Sequence, residues 1–244
     1  MNLYDGMMER LRILTRDMSF RSYGYAENKI WPEDAELQMI FQSDTAFELG
    51  GGKAPSANLT CVTSNPDFFD GDQILVYGPE LHEITGQAGY VRVCEVLVRD
   101  DFSDECQPEK TNAMLYKLVQ DMDFVKYHIY TKGFMLRSAG QSCKEQVRVG
   151  KQALRDGISF ERIGDTFISH YKKLAPVLAV RISFITAGTD YEKWLKEAKL
   201  AADIRNSLSA MQKGLPKDCG NCSIREICNE VEGLRELHFG KKEV

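Results

Sequence analysis

Three cysteines near the C-terminus have the spacing of a metal-binding segment. Cys219 and Cys222 are separated by Gly-Asn, and Cys228 follows six residues later. A C-x-x-C pair in a turn brings two sulfurs to one point, and a third cysteine about one and a half turns of chain later can return to that point. Thiolates prefer soft or borderline metals. The segment therefore predicts an iron–sulfur cluster or a zinc ion, and thiols without metal are the alternative.

The fourth ligand is less clearly marked in the sequence. A closed zinc site needs four protein ligands, whereas a cluster with three cysteines can be completed by a distant residue or keep one open iron. His238 lies ten residues after Cys228, and Cys143 and Cys106 occur earlier in the chain. The predicted metal ligands are Cys219, Cys222, Cys228, Cys143 and His238.

A group of basic residues predicts a second functional surface. It surrounds a turn at Ala139-Gly140-Gln141. Such a group can face an anionic ligand, for example a nucleotide-bearing coenzyme, and an ordinary solvated surface is the alternative. The predicted cofactor-binding residues are Arg137, Lys144, Arg148 and Lys151.

The composition limits the classes of partner. The chain has 244 residues and a net charge of −5, so it lacks the overall positive charge that would attract nucleic acid. Some DNA-processing nucleases carry a C-x-x-C-x5-C segment, so a nuclease is a further alternative that this acidic balance disfavours. No apolar run approaches the roughly 20 residues that span a bilayer, and the first residues lack the pattern of a signal peptide. Seven cysteines without an export signal are typical of a reducing compartment. We therefore expect a cytoplasmic protein with no membrane or nucleic-acid partner.

The spacing of apolar residues predicts an α+β fold with mixed or antiparallel sheets and flanking helices. Residues 1–100 form a mostly β half with an N-terminal helix, residues 101–212 an α+β half packed with the first, and residues 213–244 a cysteine-containing tail. Strands are predicted at 37–41, 58–64, 73–77, 89–98, 124–130, 145–149 and 177–186. Helices are predicted at 4–14, at 111–122, from Ser159, and from a capping box at Thr189 to about Gln212.

Five segments carry a resemblance to a known family, namely Phe47–Gly51, Val76–Leu81, Gln146–Lys151, Gly157–Gly164 and Phe184–Thr186. They resemble the middle domain of acetyl-CoA synthase, the β subunit of the carbon monoxide dehydrogenase/acetyl-CoA synthase complex. Their order and spacing hold from about Asp44 to Cys228. The resemblance implies an iron–sulfur site, an anaerobic one-carbon setting, acyltransferase-like chemistry, and protein partners of the CO dehydrogenase or corrinoid type.

In that family a similar helix leads into a C-x-x-C opening, which begins the cysteine set of the [4Fe–4S] part of the nickel-containing A-cluster. Cys219 and Cys222 match this opening. Cys228 comes earlier than the family's third cysteine, no fourth cysteine follows, and the Cys-Gly-Cys motif for the outer nickel is missing. Gln146 stands where the family has Trp, near the region thought to meet coenzyme A. The resemblance therefore implies a truncated or accessory relative in which nickel is not supported.

A non-catalytic binding module, with a structural zinc or cluster that staples the tail, is the alternative function. The substrate, the partner and the oligomeric state, including a homo-oligomer, are not fixed by these residues.

Overall fold

The computed structural model describes residues 2–25, 27, 39–100, 108–138, 143–215, 219–231 and 233–239. The helices are α1 Asp5–Thr15, α2 Pro108–Phe124, α3 Lys151–Arg155, α4 Phe160–Lys172, α5 Tyr191–Gln212, α6 Arg225–Glu230 and α7 Leu234–Phe239. The strands are β1 Arg21–Gly24, β2 Thr45–Leu49, β3 Ser56–Thr63, β4 Gln73–Tyr77, β5 Tyr90–Val98, β6 Phe134–Ser138, β7 Glu145–Gly150 and β8 Val177–Ile185.

The larger sheet is mixed and has the strand order β1-β4-β8-β5-β3. β4 pairs with β8 in parallel and β3 pairs with β5 in parallel, while the β5–β8 and β1–β4 pairs are antiparallel. Every residue of β5 is buried, as expected for a strand covered on both faces. α4 packs on β4 and β8, and α5 packs on β3. These elements confirm the predicted α+β fold.

A smaller antiparallel sheet has the order β2-β7-β6. It meets the larger sheet through a fully buried ion pair between Arg92 on β5 and Glu145 on β7. The guanidinium donates from Nε to Oε1 at 2.9 Å and from Nη2 to Oε2 at 2.5 Å. The backbone carbonyl of Cys143 also accepts a hydrogen bond from the Asn58 amide at 2.8 Å. The position of β7, and of the residues that flank it, is therefore fixed by the core.

Two local predictions are wrong. The predicted strand at 124–130 is instead the end of α2 followed by a 3-10 helix at Val125–His128. Its aromatic and β-branched residues suit a strand, but Lys126 donates to Asp123 at 2.8 Å, a contact between residues three apart that helical geometry provides.

The predicted capping box at Thr189 is not formed, because α5 begins at Tyr191 and the Thr189 hydroxyl accepts from the Trp194 indole instead.

The predicted strand at 37–41 is only partly covered by the structure. Residues 37 and 38 lie outside the described residues, and residues 39–41 form no strand. Met39 and Phe41 are exposed, so their alternation with polar residues does not mark a buried face. The nearest strand, β2, begins four residues later at Thr45.

Gly164 in α4 is required by the close approach of this helix to β4. A Cβ at this position would lie 2.7 Å from two side-chain carbons of the buried Ile74. We expect Gly164→Ala to lower the free energy of unfolding by about 1–3 kcal/mol, because overpacking outweighs the better helix propensity of alanine. Urea denaturation measures the change. The control is Gly6→Ala in α1, where the Cβ finds room and stability should stay equal or rise. Equal or higher stability of Gly164→Ala would contradict the close packing.

No helix within the described ranges is long and apolar enough to cross a membrane.

Candidate metal centre and neighbouring cavities

The cysteine segment follows the long helix α5 and is anchored to the core by apolar side chains. Ile224, Val231 and Leu234 are buried. Cys222 precedes α6, and its carbonyl accepts a hydrogen bond from the Arg225 amide at 3.2 Å. Cys228 lies within α6, and α6 contacts both α5 and α7.

One cavity of about 130 Å³ collects most of the predicted ligands. It is well above the roughly 15 Å³ that one water molecule needs. Four of the five predicted metal ligands line it, together with two arginines and an asparagine. The lining residues are Cys219, Cys222, Cys228, His238, Arg225, Arg235 and Asn229. We call this space the cysteine cavity.

The side chains share this cavity without forming a closed coordination shell. Within the described ranges, no three His, Cys, Asp or Glu side chains converge closely enough to hold a metal ion. Three thiols and an imidazole are nevertheless the donor set that zinc and iron–sulfur clusters use. The types of side chain therefore fit either a zinc ion or an iron–sulfur cluster, but the side chains would have to move closer together to bind it.

The thiols of the cysteine cavity influence one another electrostatically. Burial raises the pKa of Cys228, and the neighbouring Cys222 and Cys219 raise it further, while Arg235 lowers it. Like charges at one site disfavour the thiolate form, so a cation among them would relieve the repulsion.

Cys143 lies in a different place from the other predicted ligands. It lines a smaller cavity of about 30 Å³ next to Asp123, Lys126 and Arg205. Burial raises the pKa of the Cys143 thiol. The structure therefore does not bring this thiol into the cysteine cavity. Cys106, the other distant candidate, lies outside the described residues.

The predicted basic group is divided between two places. Arg137 pairs with Gln146 across β6 and β7, and Arg148 lies two residues further on β7, so these side chains share one face of the small sheet. Glu48 binds both Gln146 and Arg148, at 3.0 Å and 2.5 Å. Lys144 is exposed just before β7. The anionic ligand predicted for this face stays a prediction.

Lys151 lies beyond the end of β7, in a cavity of about 340 Å³. We call this space the basic cavity. Three further cations line it. Lys132 and Arg162 lie in segments away from Lys151, so the sequence alone did not connect them, whereas Arg155 lies on α3 together with Lys151. The cations are Lys132, Lys151, Arg155 and Arg162.

The model of the family "CO dehydrogenase/acetyl-CoA synthase complex beta subunit" matches residues 34–193, more than half of the chain. This chain belongs to that family. It is also 25% identical over 180 residues to the carbon monoxide dehydrogenase/acetyl-CoA synthase subunit alpha of Moorella thermoacetica. That alignment covers 74% of this chain but only 23% of the relative, so the chain spans about a quarter of the relative's length.

The residues that match the CO dehydrogenase/acetyl-CoA synthase family cover most of the scaffold but not the cysteine cavity. It includes both sheets from β2 onward, the buried pair of Arg92 and Glu145, and the basic cavity. It ends at residue 193, near the start of α5, so the cysteine cavity lies beyond it. Membership in the family therefore supports the scaffold, and the metal centre has to be argued from its own residues.

Proposed function

We propose that this chain is an iron–sulfur protein of the CO dehydrogenase/acetyl-CoA synthase family that acts with a protein partner in anaerobic one-carbon or corrinoid metabolism in the cytoplasm. The observation that carries the proposal is that Cys219, Cys222, Cys228 and His238 line one cavity in a member of this family. The accessory role is supported by the description of the matching family as a subunit of a complex.

The three thiols would hold the cluster, and His238 would face the remaining position. His238 is a better candidate than Cys143 for that position, because it lines the same cavity. A bound cluster supplies one-electron transfer and, at an iron without a thiolate, a place for a small ligand.

The two arginines of the cysteine cavity support an anionic group there. Arg225 and Arg235 line the same space as the thiols, and Arg235 already lowers the pKa of Cys228. Positive charge near a thiolate-bound cluster offsets its negative charge and raises its reduction potential. The arginines would therefore hold the thiolates in their ionised form and favour the reduced state.

A second function has its own supporting observation. His238 gives the cysteine cavity three thiols and one imidazole, which is the closed donor set of a structural zinc site. In that case the metal staples α6 and α7 to the core, and the chain is a binding module without redox chemistry.

The visible spectrum of anaerobically purified protein separates the two functions. We expect brown protein with sulfur-to-iron absorption that bleaches on reduction with dithionite, and an electron paramagnetic resonance signal in one of the two oxidation states. Cyanide should perturb that signal if one iron is open. Colourless protein that contains zinc would contradict the iron–sulfur proposal and favour the structural staple. Co-purification with a CO dehydrogenase or corrinoid protein tests the partner.

A further inference from the structure

We propose that Asn112 of α2 is a positioning residue for the metal centre, because it holds the end of α7 that carries His238. The inference rests on the proposed function, in which His238 faces the metal position that the three thiols leave. It goes beyond that function by assigning a role to a residue of a distant helix that does not line the cysteine cavity.

α7 is too short to fix the direction of His238 by itself. It contains six residues, and isolated helices shorter than roughly 12–15 residues are marginal in water. Leu234 at its first position is fully buried and anchors the start of the helix. His238 lies four residues later, one turn along the same face and close to the last residue of α7. Because helix ends fray, a contact at this end decides whether the imidazole keeps its place.

Asn112 supplies a contact at this end of α7. Its side-chain Nδ2 donates to the Leu237 carbonyl at 3.1 Å. The carbonyls in the last turn of a helix have no partner within the helix, so the amide acts as a cap for α7. The Leu237 carbonyl belongs to the peptide unit that Leu237 shares with His238. Fixing this planar unit therefore restricts the backbone from which the imidazole projects.

The amide of Asn112 is carried by a well-anchored helix. Leu115, Leu118 and Val119 of α2 are buried, and α2 packs against α5 and β3. Leu115 and Val119 follow Asn112 by three and seven residues, so one face of α2 carries both the amide and contacts to the core. The hydrogen bond therefore ties the end of α7 to the core of the molecule.

The second polar atom of the Asn112 side chain argues against a purely stabilising role. Oδ1 is buried, and within the described ranges no donor reaches it. A buried acceptor without a partner typically destabilises a fold by more than one neutral hydrogen bond stabilises it. A leucine of similar size would avoid this cost. The amide is therefore better explained by its contact with Leu237 than by its contribution to the stability of the core.

Cobalt(II) titration of the full chain, freed of metal by chelation, tests this inference. Cobalt(II) can occupy thiolate and imidazole sites as zinc does, and its visible spectrum changes with the ligand set. We expect Asn112→Leu to weaken cobalt binding by roughly tenfold, the lower end of the effect of removing a residue that orients a metal ligand. His238→Ala should weaken binding at least as much and change the spectrum. The double variant should bind as His238→Ala does, because Asn112 acts only through His238.

The matched control is Asn206→Leu, the same substitution at an exposed position of α5 that does not line the cysteine cavity. It should bind cobalt as the unchanged chain does. Asn112→Asp keeps the shape of the side chain but replaces the donor by an acceptor, so it should weaken cobalt binding at least as much as Asn112→Leu. Thermal unfolding without metal separates positioning from stability, because Asn112→Leu should then melt no lower than the unchanged chain.

Three results would overturn the positioning role while leaving the metal centre in place. They are equal cobalt affinity and spectrum in Asn112→Leu and the unchanged chain, a double variant that binds more weakly than His238→Ala, and a metal-free melting temperature that falls together with the affinity. Failure of the unchanged chain to bind cobalt would instead contradict the proposed metal centre, and the role of Asn112 with it.

Discussion

Replacing Glu145 with glutamine should lower the free energy of unfolding by about 3–5 kcal/mol, because it leaves the buried Arg92 guanidinium without its counter-charge. Both side chains of the pair are fully buried. Burial disfavours the charged guanidinium, but Glu145, Cys94 and Tyr90 together raise the pKa of Arg92 well above its ordinary value. Because a guanidinium does not lose its proton in proteins, Arg92 stays charged when its partner is removed.

The remaining neighbours of Arg92 cannot replace the carboxylate. Arg92 Nη1 donates a hydrogen bond to Cys94 Sγ at 3.0 Å, and the guanidinium carbon lies 4.7 Å from the centre of the Phe167 ring. A buried thiol and an aromatic face are weak partners for a full charge. Because the pair joins β5 to β7, its loss should loosen the small sheet relative to the larger one.

Urea denaturation measures this loss, with Asp121→Asn as the control. Asp121 accepts from Lys117 at 2.8 Å in an exposed pair four residues apart, and breaking it should change stability by less than about 1 kcal/mol. The double replacement Arg92→Met with Glu145→Leu should recover most of the stability, because it removes both charges. A loss below 1 kcal/mol for Glu145→Gln would show that the two sheets do not depend on this pair.

Cys222→Ala is expected to abolish most metal binding. The variant removes one of three thiols in the cysteine cavity, and a metal that binds only the folded state stabilises that state through its affinity. We expect the metal content to fall severalfold and the melting temperature to drop to that of metal-free protein. Metal analysis and thermal unfolding of the same preparations measure both effects, and limited proteolysis should cut the variant first around α6 and α7.

Cys143→Ala is the matched control, since it removes a cysteine that lies in the other cavity. It should retain its metal, whereas His238→Ala should lose part of it or change its spectrum. Unchanged metal content in Cys222→Ala would refute the site, and a loss in Cys143→Ala would return Cys143 to the ligand set.

Much of the scaffold could be predicted because its signals are local. β5 and β8 are nine-residue strands made mostly of apolar residues, and the stripe from Phe160 to Tyr171 marks α4 with Ser159 as its cap. The Ser159 side chain accepts from the Arg162 amide, as the sequence suggests. The C-x-x-C spacing likewise indicates a shared site before any tertiary contact is known.

The remaining features depend on contacts between distant segments. Arg92 and Glu145 are 53 residues apart, and neither residue is marked by its neighbours as a buried ion pair. β2 and β6 are short strands whose identity comes from pairing with β7, which no local period reveals. The basic cavity was missed for the same reason, because Lys132 and Arg162 meet Lys151 only in the folded chain.

Iron and acid-labile sulfide, measured per chain on anaerobically purified protein, test the central claim most directly. The proposed cluster predicts iron and sulfide in equal amounts, approaching about four of each in fully loaded protein. Zinc without sulfide, or neither metal nor sulfide after anaerobic reconstitution, would contradict an iron–sulfur function for the cysteine cavity.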